Sequence, residues 1–282
     1  MQVATLHVDA HLHFWQWSKG WFSRPEAMLS QDYLPTNFEP ILKVQGIDKT
    51  IVVQTSPTVA ETDFLLGLAE SSGFIGGVVG WLDLESPNFP NMLEQYCRKR
   101  YFVAVRPMLE SLPQDDWILR PRVIESLSLV ADAGLSFEFL TFTRHLRHVV
   151  QVLERVPHLR AVIDHLPKPE IKAGRLQPWK DFMREVALCP NVYCKLSGMM
   201  TEADPNHWTR EQLRPYADHV LEEFGAERIM FGSDWPVCLL AANYEEVLDT
   251  TREFVTSSLG GAAVDAVFGA NAVRFYGLDE GA

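Results

Sequence analysis

Short apolar runs alternate along the chain with segments whose apolar residues recur every three or four positions. Eight runs stand out, at 7–14, 50–54, 75–84, 102–108, 136–142, 161–165, 192–196 and 229–231. Most are rich in Val, Ile and Phe with little polar alternation, the pattern of strands buried on both faces. Between them, Leu213, Tyr216, Ala217, Val220, Leu221 and Phe224 share one helical face, as do Leu146, Val149, Val150 and Leu153. Trp179, Phe182, Met183 and Val186 repeat the spacing. Gly46, Gly73, Gly134 and Gly225 stand as helix stops just before the next strand. Pro57, Pro107 and Pro236 mark turns after strands.

Strand–helix alternation predicts an α/β fold with a parallel sheet. Eight units in 282 residues suit a (β/α)8 TIM barrel, typically about 250 residues long, better than a doubly wound sheet with its fewer strands. No Gly/Ser linker, low-complexity tract or charge block interrupts the pattern, so 1–282 is expected to be a single domain. The first βα connection, 16–40, is long. With Trp17 and Trp21 in it and Trp15 just before, it is expected either to pack on the barrel rim or to act as a substrate lid. The stretch 264–276 is expected to form an extra C-terminal helix.

Composition narrows the function. Hydrophobic residues make up 47% of the chain, enough for a large core, and the net charge of −12 argues against a nucleic-acid partner. No uninterrupted apolar run reaches about 18 residues and no signal-peptide pattern precedes the first strand, so a membrane partner is not expected. Cys97, Cys189, Cys194 and Cys238 have no CxxC spacing and read as reduced thiols of a cytoplasmic protein. The oligomeric state stays open.

In a barrel the chemistry gathers at the C-terminal ends of the strands. His11 and His13 close the first run and, being two apart on a strand, aim both imidazoles to one face. That arrangement suits a metal ion or a paired acid and base. Arg106 closes the fourth run, Asp164 and His165 the sixth, Lys195 lies near the end of the seventh, and Asp234 follows the eighth. Charges converging on otherwise apolar strand ends are costly unless paired or ligated. Strand alternation would let only one of Asp164 and His165 enter a site there, and His165 is the expected one. Arg106 could instead close a rim salt bridge, and Lys195 could pair with a buried carboxylate such as Asp9. His145, His148, His158, His207 and His219 fall on helices or turns and are expected to be solvated or capping.

The HxH pair, Asp164-His165-Leu166-Pro167-Lys168-Pro169, Tyr193-Cys194-Lys195-Leu196-Ser197-Gly198, Gly232-Ser233-Asp234-Trp235-Pro236 and Gly269-Ala270-Asn271-Ala272 together resemble the amidohydrolase superfamily. More narrowly they are similar to its lactonase branch, the amidohydrolase-2 proteins, across essentially the whole chain. The resemblance implies a carboxylic ester hydrolase that opens a sugar-acid lactone, L-fucono-1,5-lactone or a related aldonolactone. It implies catalytic roles for His11, His13, His165 and Asp234, with Asp234 as general base taking a proton from the attacking water. Arg106, Lys195, Trp235 and Trp15 are the expected substrate contacts. His11, His13 and Asp234 could hold one divalent ion, zinc by their chemistry, although the branch also includes members that work without metal. A binuclear site is not expected. The fourth run ends in Arg106 where binuclear members carry a carboxylated lysine, and the fifth, with Phe137-Glu138-Phe139, lacks the histidine of mononuclear deaminases.

Other readings remain. A pyrone-dicarboxylate lactonase should carry several arginines at the site for its two carboxylates, and Arg106 alone stands at a strand end. A decarboxylase of the same superfamily would need a firmly held metal. From another class, the chain could be a barrel that binds a sugar acid without turning it over.

Overall fold

The computed structural model describes residues 5–22 and 26–278. Eight strands follow one another around a parallel sheet in sequence order. They are β1 (Val8–Leu12), β2 (Lys49–Val53), β3 (Ile75–Gly80), β4 (Phe102–Val105), β5 (Ser136–Phe139), β6 (Arg160–Ile163), β7 (Val192–Leu196) and β8 (Ile229–Phe231). All eight apolar runs form strands, but most strands stop before the run does. Gly80, Val105, Phe139 and Ile163 end theirs, and the polar residues beyond them belong to the barrel mouth.

Helices cross between successive strands: α1 (Pro35–Gln45), α2 (Val59–Ser71), α3 (Phe89–Cys97), α4 (Pro121–Asp132), α5 (Leu146–Arg155) and α6 (Trp179–Ala187). A single turn, α7 (Met199–Glu202), precedes α8 (Arg210–Phe224), and α9 (Tyr244–Leu259) and α10 (Asn271–Tyr276) follow β8. Their starts are locally encoded. Thr209 accepts from Gln212 N while the Gln212 side chain returns to Thr209 N, and Asn243 and Glu246 repeat the exchange at α9. Gly46, in the left-handed region at φ +64°, ends α1.

The sheet is a nearly closed (β/α)8 barrel. Its seam joins β1 to the residues after β8: His13 N donates to Trp235 O (2.7 Å) and Asp234 N to His11 O (2.8 Å). Val8, Ile51, Val79, Ala104, Val162 and Met230 come from six different strands yet form one buried cluster with Phe275 and Tyr276 of α10. Only the barrel interior can gather six strands in this way. The far larger apolar cluster fills the layer between sheet and helices.

The first connection is more ordered than expected. It carries 3-10 turns at Trp17–Lys19 and Ala27–Leu29, Trp15 pairs with Tyr33, and α1 begins at Pro35. Residues 23–25 lie outside the described residues. Its aromatics pack on the rim: Trp15 stacks on Phe22 (centroids 4.1 Å) and Trp21 tilts against Phe64 (5.1 Å).

The expected C-terminal helix is split. A π-helical stretch, Ala266–Ala270, precedes α10. The backbone there runs hard against the segment before β1. A Cβ added at Gly269 would lie 1.8 Å from Leu6 O, so glycine is required for close approach rather than for its dihedral freedom. Gly67, inside α2, has no atom within 4 Å of such a Cβ. Gly269→Ala should therefore destabilise the protein by about 2–3 kcal/mol through overpacking. Gly67→Ala should stabilise it by roughly 0.5–1 kcal/mol through helix propensity. Denaturant unfolding of both variants checks the pair, and equal effects would refute the assignment.

Candidate active site

β1 delivers its two histidines as expected. His11 is fully buried and His13 nearly so, with Nε2 atoms 3.3 Å apart. Asp234, just after β8, places Oδ1 3.1 Å from His13 Nε2 and 3.8 Å from His11 Nε2. His165 Nε2 lies 3.8 Å from the same oxygen, and its ring packs edge-on against His11 (centroids 4.3 Å). Four side chains from strands at opposite ends of the sequence thus meet at one point.

Two backbone features make the meeting possible. Asp234 and His165 adopt left-handed backbone, φ +58° and +52°, which is uncommon outside glycine. Glycines leave room for the rings: a Cβ at Gly232 would sit 2.7 Å from His11 Cβ, and one at Gly198 would sit 3.0 Å from His165 Cβ. The turn at His165 also corrects an expectation. Strict alternation was to send Asp164 away from the site, but β6 ends at Ile163 and the chain leaves the extended conformation. Asp164 therefore points inward too, with Oδ1 3.4 Å from His11 Nδ1.

The two outer imidazoles are held through Nδ1. Val53 O only accepts, so His13 Nδ1–H donates to it (2.7 Å), and His13 Nε2 faces Asp234 Oδ1 (3.1 Å). His165 Nδ1 is hydrogen-bonded with Ser197 Oγ (2.9 Å). Burial is the main reason the His165 imidazole is pushed down to about 4, and it is neutral near pH 7. Burial, then the charge of Lys195, hold His11 well below the ordinary histidine range. Burial works to raise Asp234, but His165, His13 and His11 outweigh it and keep the carboxyl below the usual carboxylate range.

Beneath the imidazoles lies a second, fully buried polar layer. Lys195 Nζ donates to Glu138 Oε2 (2.7 Å) and stands 3.2 Å from both Asp164 Oδ1 and His11 Nδ1. Arg106 donates to Asp164 Oδ2 (3.2 Å) and to Gln54 O, and Tyr276 of α10 donates to Glu138 Oε1. Lys195 thus pairs with Glu138 and Asp164 rather than with Asp9. Glu138 was passed over in the sequence, although a charge inside the apolar Phe137-Glu138-Phe139 was the available signal.

The cavity above has a volume of about 220 Å³ and is lined by His13, His165, Asp234, Arg106, Thr55 and Lys168, among others. Lys195, Trp15 and Trp235, expected to touch substrate, stand behind its wall. Lys195 is wholly enclosed. Trp15 donates Nε1–H to Gln31 O, and Trp235 packs among Phe14, Tyr33 and Phe38. Glu26, Glu110 and Glu202 line the cavity instead, and Glu110 is ion-paired with Lys168. Of the helix and turn histidines, His158 and His207 are exposed, whereas His145, His148 and His219 are buried. His145 is a cap, its Nδ1 accepting from Phe142 N. Cys238 is buried, and burial followed by the charge of Asp234 pushes its thiol well up, which makes it unreactive.

His11, His13 and Asp234 satisfy the geometry of a single-ion site. In a tetrahedral zinc centre with bonds of about 2.0–2.1 Å, ligand atoms lie roughly 3.3–3.4 Å apart, and the three separations here are 3.1, 3.3 and 3.8 Å. The Nε2 atoms of His11 and His13 and a carboxylate oxygen of Asp234 all turn to this one position.

Known proteins resemble this chain along nearly its whole length. The amidohydrolase family model matches residues 8–278. An L-fucono-1,5-lactonase of Burkholderia ambifaria is 39% identical over 98% of this chain and 97% of its own length. One of Burkholderia multivorans is 34% identical over 99% and 98%. A crystal structure of an amidohydrolase from Burkholderia multivorans with bound zinc superposes with a TM-score of 0.92, at 32% identity, covering 97% of this chain and all of that one.

Asp9 holds the seam from within. Its Oδ1 accepts from His11 N (3.1 Å) and Ser233 N (3.0 Å), and its Oδ2 from Tyr244 Oη (3.0 Å). Burial pushes its carboxyl up to about 6, against the lowering effect of those hydrogen bonds. Unfolded, it would titrate near about 3.9. Between these values the folded protein binds more protons than the unfolded chain, so this group's contribution to stability falls as pH rises through about 6. Asp9→Asn removes the titration while keeping an acceptor oxygen. Its stability relative to the parent should improve by up to about 3 kcal/mol between pH ~4 and ~6 and then level off. Denaturant midpoints across that range test this, and a difference independent of pH would exclude it.

Proposed function

Because this chain belongs to the amidohydrolase family, whose model spans residues 8–278, we propose that it opens a sugar-acid lactone, L-fucono-1,5-lactone or a close relative, by water attack on the ring carbonyl. The observation that carries this reading is the convergence of the Asp234 carboxylate with three imidazoles on one point beside the cavity.

Lactone opening needs a group to take the water's proton and positive charge to hold the developing oxyanion. Asp234 is ionised near neutrality and accepts that proton as the C–O bond to water forms. The same proton then passes to the ring oxygen as its bond to the carbonyl carbon breaks. Arg106 lines the cavity and brings positive charge to the side of the developing oxyanion. Neutral His165, its ring held by Ser197, hydrogen-bonds the water through Nε2 and orients it. A divalent ion, zinc by the donor set, would be held by His11, His13 and Asp234 and would polarise the carbonyl.

The cations favour an uncharged substrate. Arg106 and Lys168 line the cavity, and both are already paired, with Asp164 and Glu110. A pyrone dicarboxylate would need two such charges unspent. Purified protein offered aldono-1,4- and 1,5-lactones in weak buffer should release acid, and turnover of a pyrone dicarboxylate alone would defeat the reading. Asp234→Asn should lower kcat by about 10²–10⁴-fold with unchanged unfolding behaviour. Near-parental activity would remove Asp234 as the base.

A further inference from the structure

Below the catalytic point, three anionic or lone-pair atoms surround one position. His11, Glu138 and Asp164 form a buried set in which one ligand atom of each lies within 4.8 Å of the others, the spacing of a cation site. The Lys195 ammonium stands among them, at 3.2, 2.7 and 3.2 Å. It is fully enclosed, with one N–H donated to Glu138 Oε2 and the rest of the ammonium facing Asp164 Oδ1 and the His11 ring. Asp164 Oδ1 takes part in no hydrogen bond of good geometry despite its burial, so its contacts with Lys195 and His11 are ionic.

We propose that this is a second cation site, sharing the His11 ring with the His11, His13 and Asp234 set, and that Lys195 is its permanent occupant. Shape alone would not demand lysine there. Two buried carboxylates face each other across the position, and among the described residues the Arg106 guanidinium forms its ion pair with Asp164, through the other oxygen. Without a second positive charge the layer carries an uncompensated anion beneath His11, and an unpaired buried charge costs several kcal/mol. The ammonium supplies the charge without an ion that can dissociate. Because Nζ also meets His11 Nδ1, Lys195 acts as a positioning residue for the imidazole above it.

Removing the side chain beyond Cβ leaves the three ligands and the space for an ion. Lys195→Ala, produced in medium supplemented with zinc or manganese and freed of loose metal by gel filtration, should carry one divalent ion per chain more than the parent. Adding Glu138→Gln should abolish the gain. The readout is metal content, so its failure is distinguishable from failure of the lactonase reading. A folded Lys195→Ala with no extra ion would overturn the proposal, since it would mean that Glu138 simply takes up a proton instead. Should the variant be insoluble without metal, recovery of soluble protein on supplementation supports the proposal. Insolubility under both metals overturns it, because a site that fits an ion would have admitted one. Gain of the same ion by the Glu138→Gln double variant also overturns it, by removing Glu138 from the ligand set.

Discussion

The structure depends on neutralising charge inside the barrel. Glu138, Asp164, Lys195 and Arg106 are at most 2% exposed, where an unpaired charge could not persist. They persist because they are matched: Lys195 faces both carboxylates and Arg106 takes the free side of Asp164. Burial keeps Glu138 above the usual carboxylate range although Lys195 lowers it. The reverse holds for Asp164, where Lys195, His11 and Arg106 outweigh burial. This layer is the floor on which the imidazoles stand, and it ties α10 to the cavity face of the barrel through Tyr276 and Glu138.

Closure of the barrel and assembly of the site are the same event. The hydrogen bonds that join β1 to the turn after β8 come from the backbones of His11, His13, Asp234 and Trp235. Asp9 binds the backbone on both sides of that seam. A sheet that failed to close would therefore also separate Asp234 from His13. The left-handed backbone at Asp234 and His165 is conformationally expensive; the seam hydrogen bond from Asp234 N holds the first, and packing of the His165 ring against Gly198 holds the second.

Much of this was legible in advance, for definite reasons. Buried parallel strands announce themselves as uninterrupted apolar runs, so all eight were visible. His11, His13, His165 and Asp234 were visible because ionisable residues at apolar strand ends are rare. The strand limits were less visible, since an apolar run continues into the buried residues of the barrel mouth after pairing has stopped. Alternation misplaced Asp164 because it holds only while the backbone stays extended. Trp15 and Trp235 were expected as substrate contacts, and an aromatic near a strand end serves equally well as rim packing, two roles that composition cannot separate.

The sequence by itself determined the repeat, the fold class and the set of catalytic candidates, because periodicity and local polarity act within a few residues of chain. Tertiary structure alone decided which charges meet. Lys195 could have paired with Asp9, yet sits among Glu138, Asp164 and His11. Pairing across a barrel is set by where strands far apart in sequence point their side chains, and by the requirement that every buried charge find its opposite at about 3 Å.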